Sequence, residues 1–309
     1  MLTRRSAVSW LAGCLTLAAF SLPAAAQTAE KLKVVATFSI LGDMVRNVGG
    51  ERIELVTLVG PNGDAHVYSP TPADGRRLTE AKVVFTNGLK FEGWIDRLVK
   101  SSGTKAARIE AAKGVKPLKS EDSGHGHGHD HGHGGSDPHA WQSIGNAKIY
   151  VANIRDALIA ADAPGKDTYE ANASAYLKQL DELEAEVKGL VASIPADRRR
   201  IITSHDAFRY FEDAYGIDFV SPQGVSTESE ASAKDVARII QQIKREKIAA
   251  VFVENVSDAR LMERIAKETG AKVGSQVYSD ALSEAGGPAG TYIDMMRHNI
   301  RAFSAALSS

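Results

Sequence analysis

Residues 167–194 read DTYEANASAYLKQLDELEAEVKGLVASI. Tyr169, Tyr176, Leu180, Leu183, Val187, Leu190, Val191 and Ile194 recur at the spacing of one helical face. Pro164 precedes the run and Pro195 follows it, so both ends carry a break signal. A helix of this length runs roughly 40 Å at about 1.5 Å per residue. That is the width of a whole domain, so the run predicts one rigid helix shared by two lobes.

The chain on either side of it has one grammar. Before it, β-branched runs at 32–39, 53–59 and 83–87 read as strands, and 40–48, 72–80, 91–100 and 141–160 have helical spacing. After it, strands at 201–204, 219–220, 249–254 and 273–278 alternate with helices at 207–215, 233–247, 258–269 and 292–306. Ser232 caps one of these helices and Gly270 stops another. Strands alternating with helices imply parallel sheets. The expected fold class is α/β: two lobes, each a mostly parallel sheet with flanking helices, joined by one long rigid helix. The expected division is a signal peptide at 1–26, an N-terminal metal-binding lobe at 27–163 with a His-rich loop at 121–136, the interlobe helix at 164–195, and a C-terminal metal-binding lobe at 196–309.

At 309 residues and 43% hydrophobic content the chain can bury two ordinary cores. A formal net charge of −1 argues against a nucleic-acid partner, which calls for a basic surface. At the N-terminus, Arg4 and Arg5 precede an apolar stretch, and Pro23-Ala24-Ala25-Ala26 offers a small-residue cleavage site before Gln27. Export to the periplasm with cleavage near Ala26 is expected. Leu11-Ala12-Gly13-Cys14 resembles a lipoprotein box, which makes a lipid anchor at Cys14 the minor alternative. Cys14 is the only cysteine, so a site in the exported chain has no thiolate to use and must rely on imidazole and carboxylate.

His125, His127, His129, His131 and His133 alternate with small or acidic residues, Gly above all. Such a tract is a compositional metal-binding signal with nothing apolar to bury. It reads as a flexible accessory loop of low affinity rather than a fixed site. Outside it stand His66, His139, His205 and His298. His66 and His205 fall just past predicted strands, as does Asp280, and His139 opens a helix. Ligands of open α/β sheets bind beyond the carboxyl ends of strands. Any one of these histidines alone reads first as a satisfied or surface residue. Three imidazoles and one carboxylate together make a tetrahedral set suited to Zn²⁺ and ill suited to Ca²⁺ or Mg²⁺. His298, mid-helix beside Arg297, reads as structural.

Several stretches resemble the cluster A-I metal-binding proteins of ABC transporters, in their zinc-type periplasmic branch. They are GDAHVYSPTPAD (63–74), NGLKFEGWIDRL (87–98), DPHAW (137–141), TSHDAFRYF (203–211), GVSTESEASAKD (224–235), VFVE (251–254) and SQVYSDALSE (275–284). The resemblance implies a metal held between the lobes by His66, His139, His205 and Asp280. It also implies handover of the ion to a membrane permease, and no enzymatic activity. Manganese-type relatives tend to carry a carboxylate where this chain has His205, so the imidazole leans the site towards Zn²⁺. Some zinc relatives have an acidic residue before the first histidine; here it is Ala65, which favours Asp280 as fourth ligand.

Asp64, Asp206, Glu228 and Glu230 are candidates to orient the rings. Trp94, Trp141 and Phe208 are expected to pack near the interface. A periplasmic zinc donor is a further candidate partner, and a monomer is expected. The rival readings are a manganese or iron binder of the same fold and a zinc-dependent hydrolase. The hydrolase would call for an H-E-x-x-H helix, which the sequence lacks.

Overall fold

The first sheet explains why residues 32–38 and 83–86 are almost wholly apolar. In the computed structural model, which describes residues 30–120 and 135–308, both are central strands buried on two faces. The chain runs β1 (Leu32–Phe38), α1 (Ser39–Gly49), β2 (Ile53–Val59), α2 (Pro72–Glu80), β3 (Val83–Thr86), α3 (Ile95–Ser102) and β4 (Ala107–Glu110). The four strands are parallel in the order β2-β1-β3-β4. Gly42 of α1 lies where a Cβ would stand 2.4 Å from Thr57 Oγ1, so the helix rests directly on β2. Thr71 and Asp74 form a capping box that fixes the start of α2 beyond the end of β2.

Then come α4 (Ile144–Ala161) and α5 (Lys166–Ala192), the long helix. Tyr169, Ala173, Tyr176, Leu180, Leu183, Val187 and Val191 line its buried face, and Leu190 turns partly outward. Arg52 and Tyr169 both hold Asp162 just before the helix. Lys148 of α4 pairs with Glu184.

The second half repeats the plan with β5 (Arg200–Ile202), α6 (Arg209–Tyr215), β6 (Asp218–Val220), α7 (Ala233–Glu246), β7 (Ala250–Val251), α8 (Ala259–Thr269), β8 (Lys272–Val273) and α9 (Tyr292–Leu307). Its strand order is β6-β5-β7-β8, again parallel and with the same topology as the first sheet. The two lobes are thus the same winding used twice. Arg297 and Arg301 of α9 both pair with Glu186 near the far end of α5. Ser232 caps α7, and Gly270 ends α8 in the left-handed conformation at φ 78°, as the sequence predicts.

Three local expectations change. β4 was not legible, because Ala107, Arg108 and Glu110 are exposed and make no apolar run. The helix expected over 91–100 starts only at Ile95, because Gly88, Leu89 and Lys90 take positive φ and spend residues 88–94 on turns. The strands expected over 249–254 and 273–278 pair only at Ala250–Val251 and Lys272–Val273. Beyond that they are joined by a lone bridge between Glu254 and Val277. The freed chain ends carry Glu254 to His205, and Asp280 to His66 and His139 of the first lobe. No helix among the described residues is long and apolar enough to cross a membrane. The proposed signal peptide, Cys14, and the histidines from His125 to His133 lie outside the described residues.

Candidate metal centre

His66, His139, His205 and Asp280 converge although 214 residues separate the first from the last. One nitrogen or oxygen from each lies within 4.8 Å of the others. The Nε2 atoms of His66 and His139 face each other at 3.3 Å. Asp280 Oδ2 stands 3.1 Å from His205 Nε2 and 3.3 Å from His66 Nε2, and Oδ1 stands 3.5 Å from His139 Nε2. His139, His205 and Asp280 are fully buried and His66 is 8% exposed, so His66 is the edge of the cluster nearest solvent.

The sheet ends deliver these groups. His66 lies on the loop after β2, and the indole Nε1–H of Trp94 donates to the carbonyl of Ala65 at 2.8 Å. His139 is reached from the 87–98 stretch, where the Asn87 side chain donates to the carbonyl of Pro138 at 2.9 Å and accepts from the Tyr150 hydroxyl at 2.6 Å. Buried Glu92 accepts from Asn87 N–H and from Thr37. Burial pushes its carboxyl up. The Asp280 turn is pinned from the first lobe. Trp141 and Gln142 both donate to the Ser279 carbonyl, at 2.9 and 2.8 Å. Leu282 N–H donates to Ser39 Oγ, and Asn62 N–H donates to the Leu282 carbonyl.

Each histidine has its own carboxylate. Asp64 Oδ1 accepts from His66 N–H, Asp137 Oδ1 from His139 N–H, and Glu254 Oε1 from His205 N–H, each at 2.9 Å. Two of these carboxylates also reach the ring. Asp137 Oδ1 lies 2.8 Å from His139 Nδ1, and Glu254 Oε2 lies 2.5 Å from His205 Nδ1. A carboxylate at Nδ1 favours keeping a proton there, so the proton a ring gives up on binding a cation is the one on Nε2, whose lone pair then faces the cluster. The sequence reading named Asp64 but neither Asp137 nor Glu254. Asp206, Glu228 and Glu230 make no hydrogen bond to these rings among the described residues. Glu228 and Glu230 are exposed. Asp206 is held up at about 6, by burial first and by Asp137 next. A signal for Asp137 was present: Asp64-Ala65-His66 and Asp137-Pro138-His139 share one spacing.

Charge is concentrated here. Burial opposes charge on His139, but Asp280 and Asp137 outweigh it and hold the ring at about 9. Burial opposes charge on His205 too, and Glu254 and Asp280 carry it well above the usual imidazole range. Burial would raise Asp280, yet His205 and His139 hold it well below the usual carboxylate range. Among the described residues, both carboxylate oxygens of Asp280, both ring nitrogens of His205 and Oε2 of Glu254 are buried without a hydrogen-bond partner. Buried polar atoms left this way are costly unless something binds them. Four donor atoms meeting at one point supply the demand of a cation, and three imidazoles with one carboxylate match a borderline-soft divalent metal.

Phe91 and Trp141 wall the pocket. The Phe91 ring centroid lies 4.7 Å from that of His66, and the Trp141 centroid 5.3 Å from that of His139. Trp94 and Trp141 thus pack at the site. Phe208 packs in the second lobe's core, stacked on Phe219 at 4.8 Å. His298 lies apart, its Nε2 2.8 Å from the Gln276 carbonyl and its ring against Tyr278, as a structural residue would.

Comparison with known proteins gives the family. Residues 34–306 match the family model of ZnuA, zinc-uptake complex component A, periplasmic. The manganese-binding lipoprotein MntA of Halalkalibacterium halodurans is 37% identical over 279 residues, covering 90% of this chain and 89% of the relative. The iron ABC transporter substrate-binding lipoprotein MtsA of Streptococcus pyogenes serotype M1 is 33% identical over 285 residues, covering 90% of each. Among solved structures, the periplasmic zinc binding protein TroA from Treponema pallidum superposes with a TM-score of 0.83 at 30% identity, over 90% of this chain and 99% of that one. The chain belongs to the zinc-uptake component A family, metal-binding components of ABC transporters that hand their ion to a membrane permease and are not enzymes.

Proposed function

We propose that the protein captures Zn²⁺ at His66, His139, His205 and Asp280 and delivers it to the permease of a zinc-importing ABC transporter. The observation that carries this reading is the convergence of three Nε2 atoms and one carboxylate within 4.8 Å. Four protein donors close a tetrahedral shell, which suits holding and release. A catalytic zinc keeps an open position. The third imidazole, His205, is the group that leans the set away from harder ions. Competitive titration of the mature protein tests it: Zn²⁺ displaces bound Mn²⁺ at equimolar concentration, and displacement of Zn²⁺ by equimolar Mn²⁺ would refute the zinc assignment.

The relatives named for manganese and iron support a second reading, in which this chain serves one of those ions. Zn²⁺ outranks Mn²⁺ and Fe²⁺ at almost any nitrogen and oxygen site, so affinity alone does not identify the imported ion. Metal content of cells lacking the gene separates the two: zinc falls on the first reading, manganese or iron on the second.

The same relatives are named as lipoproteins, which moves weight to Cys14 as a lipid anchor. Anchored or free, the protein works outside the cytoplasmic membrane, in the periplasm. The intact mass of the mature protein decides between an acylated chain starting at Cys14 and an unmodified one starting at Gln27. His125, His127, His129, His131 and His133 form an accessory loop that loads weakly bound zinc, directly or from a periplasmic donor. Deleting residues 123–135 leaves one tight site and removes the weak ones. Loss of the tight site on that deletion would refute the accessory role. A monomer suffices for this reading, because all four proposed donors come from one chain.

A further inference from the structure

The stretch 224–235 matches the family yet supplies no donor to the cluster. Its place in the fold is specific. Gln223 bridges His205 in parallel register, and Asp206 N–H donates to the Gly224 carbonyl at 3.2 Å. The loop then crosses to the first lobe, where Thr227 Oγ1 donates to Asp64 Oδ2 at 2.6 Å. The other oxygen of Asp64 accepts from His66 N–H at 2.9 Å. One loop therefore touches both lobes at the site, pairing with His205 through its main chain and reaching His66 only through the Thr227 hydroxyl on Asp64. Gln223 reaches over to the Ser229 carbonyl at 2.7 Å and braces the loop across its base.

The position matters because His66 is the only one of the four donors with measurable exposure. Asp64, Ser204, Gln223 and Thr227 line a cleft of about 490 Å³ next to it. We propose that Thr227 is a positioning residue that holds Asp64, and through it His66, in place across the lobe interface, and so sets how fast the bound metal is released. This rests on the reading that His66 ligates the metal.

The test compares Thr227→Val and Thr227→Ser in the full-length mature protein loaded with Zn²⁺ and challenged with excess chelator. Val keeps the shape and removes the donor; Ser keeps the donor. Loss of a hydrogen bond to a carboxylate should make Thr227→Val release zinc roughly tenfold faster, with Thr227→Ser within about twofold of wild type. Thr227→Val should lower the metal-free thermal midpoint by no more than the loss of one hydrogen bond allows, and Thr227→Ser should leave it near wild type. An unchanged release rate in Thr227→Val, or equal acceleration in Thr227→Ser, overturns the inference. His66→Ala run alongside separates the two layers: if it binds zinc as tightly as wild type, the site reading itself falls.

Discussion

Glu254 grips His205 at two points. One carboxylate oxygen accepts from the histidine's backbone N–H at 2.9 Å, and the other lies 2.5 Å from its ring Nδ1. Both residues are fully buried. The carboxylate therefore holds the backbone of one donor by a hydrogen bond and sets a negative charge beside its ring nitrogen. Glu254→Gln keeps the volume but offers Nδ1 an amide that has no charge and is able to present N–H. Zinc affinity should fall by about 10- to 100-fold, the usual cost of losing such a partner. Chelator competition measures it, and unchanged affinity would mean that Glu254 does not orient the ring.

The pH dependence has a definite sign. His139 is held at about 9 until a cation arrives, and His205 is raised further. Both rings must lose a proton to ligate. Zinc affinity should therefore keep rising from pH 6.5 to about 9, and binding at pH 7 should release about two protons, one from each ring. Calorimetry in buffers of different ionisation enthalpy counts them. Release of none would contradict the charged cluster.

Stability of the metal-free protein should move the other way over the same range. A histidine raised on folding stabilises fully below its unfolded value of about 6.5, and that contribution is lost as pH rises through about 9 for His139. Asp280 is depressed, so its contribution is present above about 3.8 and lost as pH falls further. Thermal midpoints of metal-free protein should thus decline between pH 6.5 and 9 while the gap to zinc-loaded protein widens. A gap that narrows over that range would contradict the assignment.

Much of this site was legible in the sequence. His66, His205 and Asp280 were found because strand ends can be read from apolar runs, and strand ends are where open sheets bind. Asp137 shares its spacing to His139 with Asp64 and His66, a local signal that went unread. Glu254 is different: it meets His205 across 49 residues. No single-sequence pattern says which carboxylate at the end of a buried strand turns inward. The short ladders of β7 and β8 were missed for the same reason. Residues 252–254 and 274–278 have strand composition, but where chains diverge is a tertiary matter. The apolar face of α5 was read correctly except at Leu190, because a helix period ranks faces but not the depth of their edges.

The long helix supplies none of the four proposed donors. Leu180 is fully buried at its middle. Leu180→Ala should cost about 2–5 kcal/mol in unfolding free energy, read from denaturant curves. Zinc affinity should stay near wild type, since Leu180 lies on α5, which carries none of the four proposed donors. A selective loss of affinity without destabilisation would show that α5 acts directly on the site.

Exchanging a donor tests the metal preference. His205→Asp supplies a carboxylate where the imidazole stands, hardening the set. The ratio of zinc to manganese affinity should drop by about tenfold or more, because carboxylate suits Mn²⁺ and imidazole suits Zn²⁺. Equilibrium competition reads the ratio. A ratio that holds or rises would remove His205 as the selecting group.

In the proposed site one ion sits among four named atoms. A crystal structure of the zinc-loaded mature protein, with anomalous data at the zinc edge, addresses it directly. One dominant peak is expected, with Nε2 of His66, His139 and His205 and a carboxylate oxygen of Asp280 at about 2.0–2.2 Å. A dominant peak elsewhere, or one that lacks any of the three imidazoles, would contradict it.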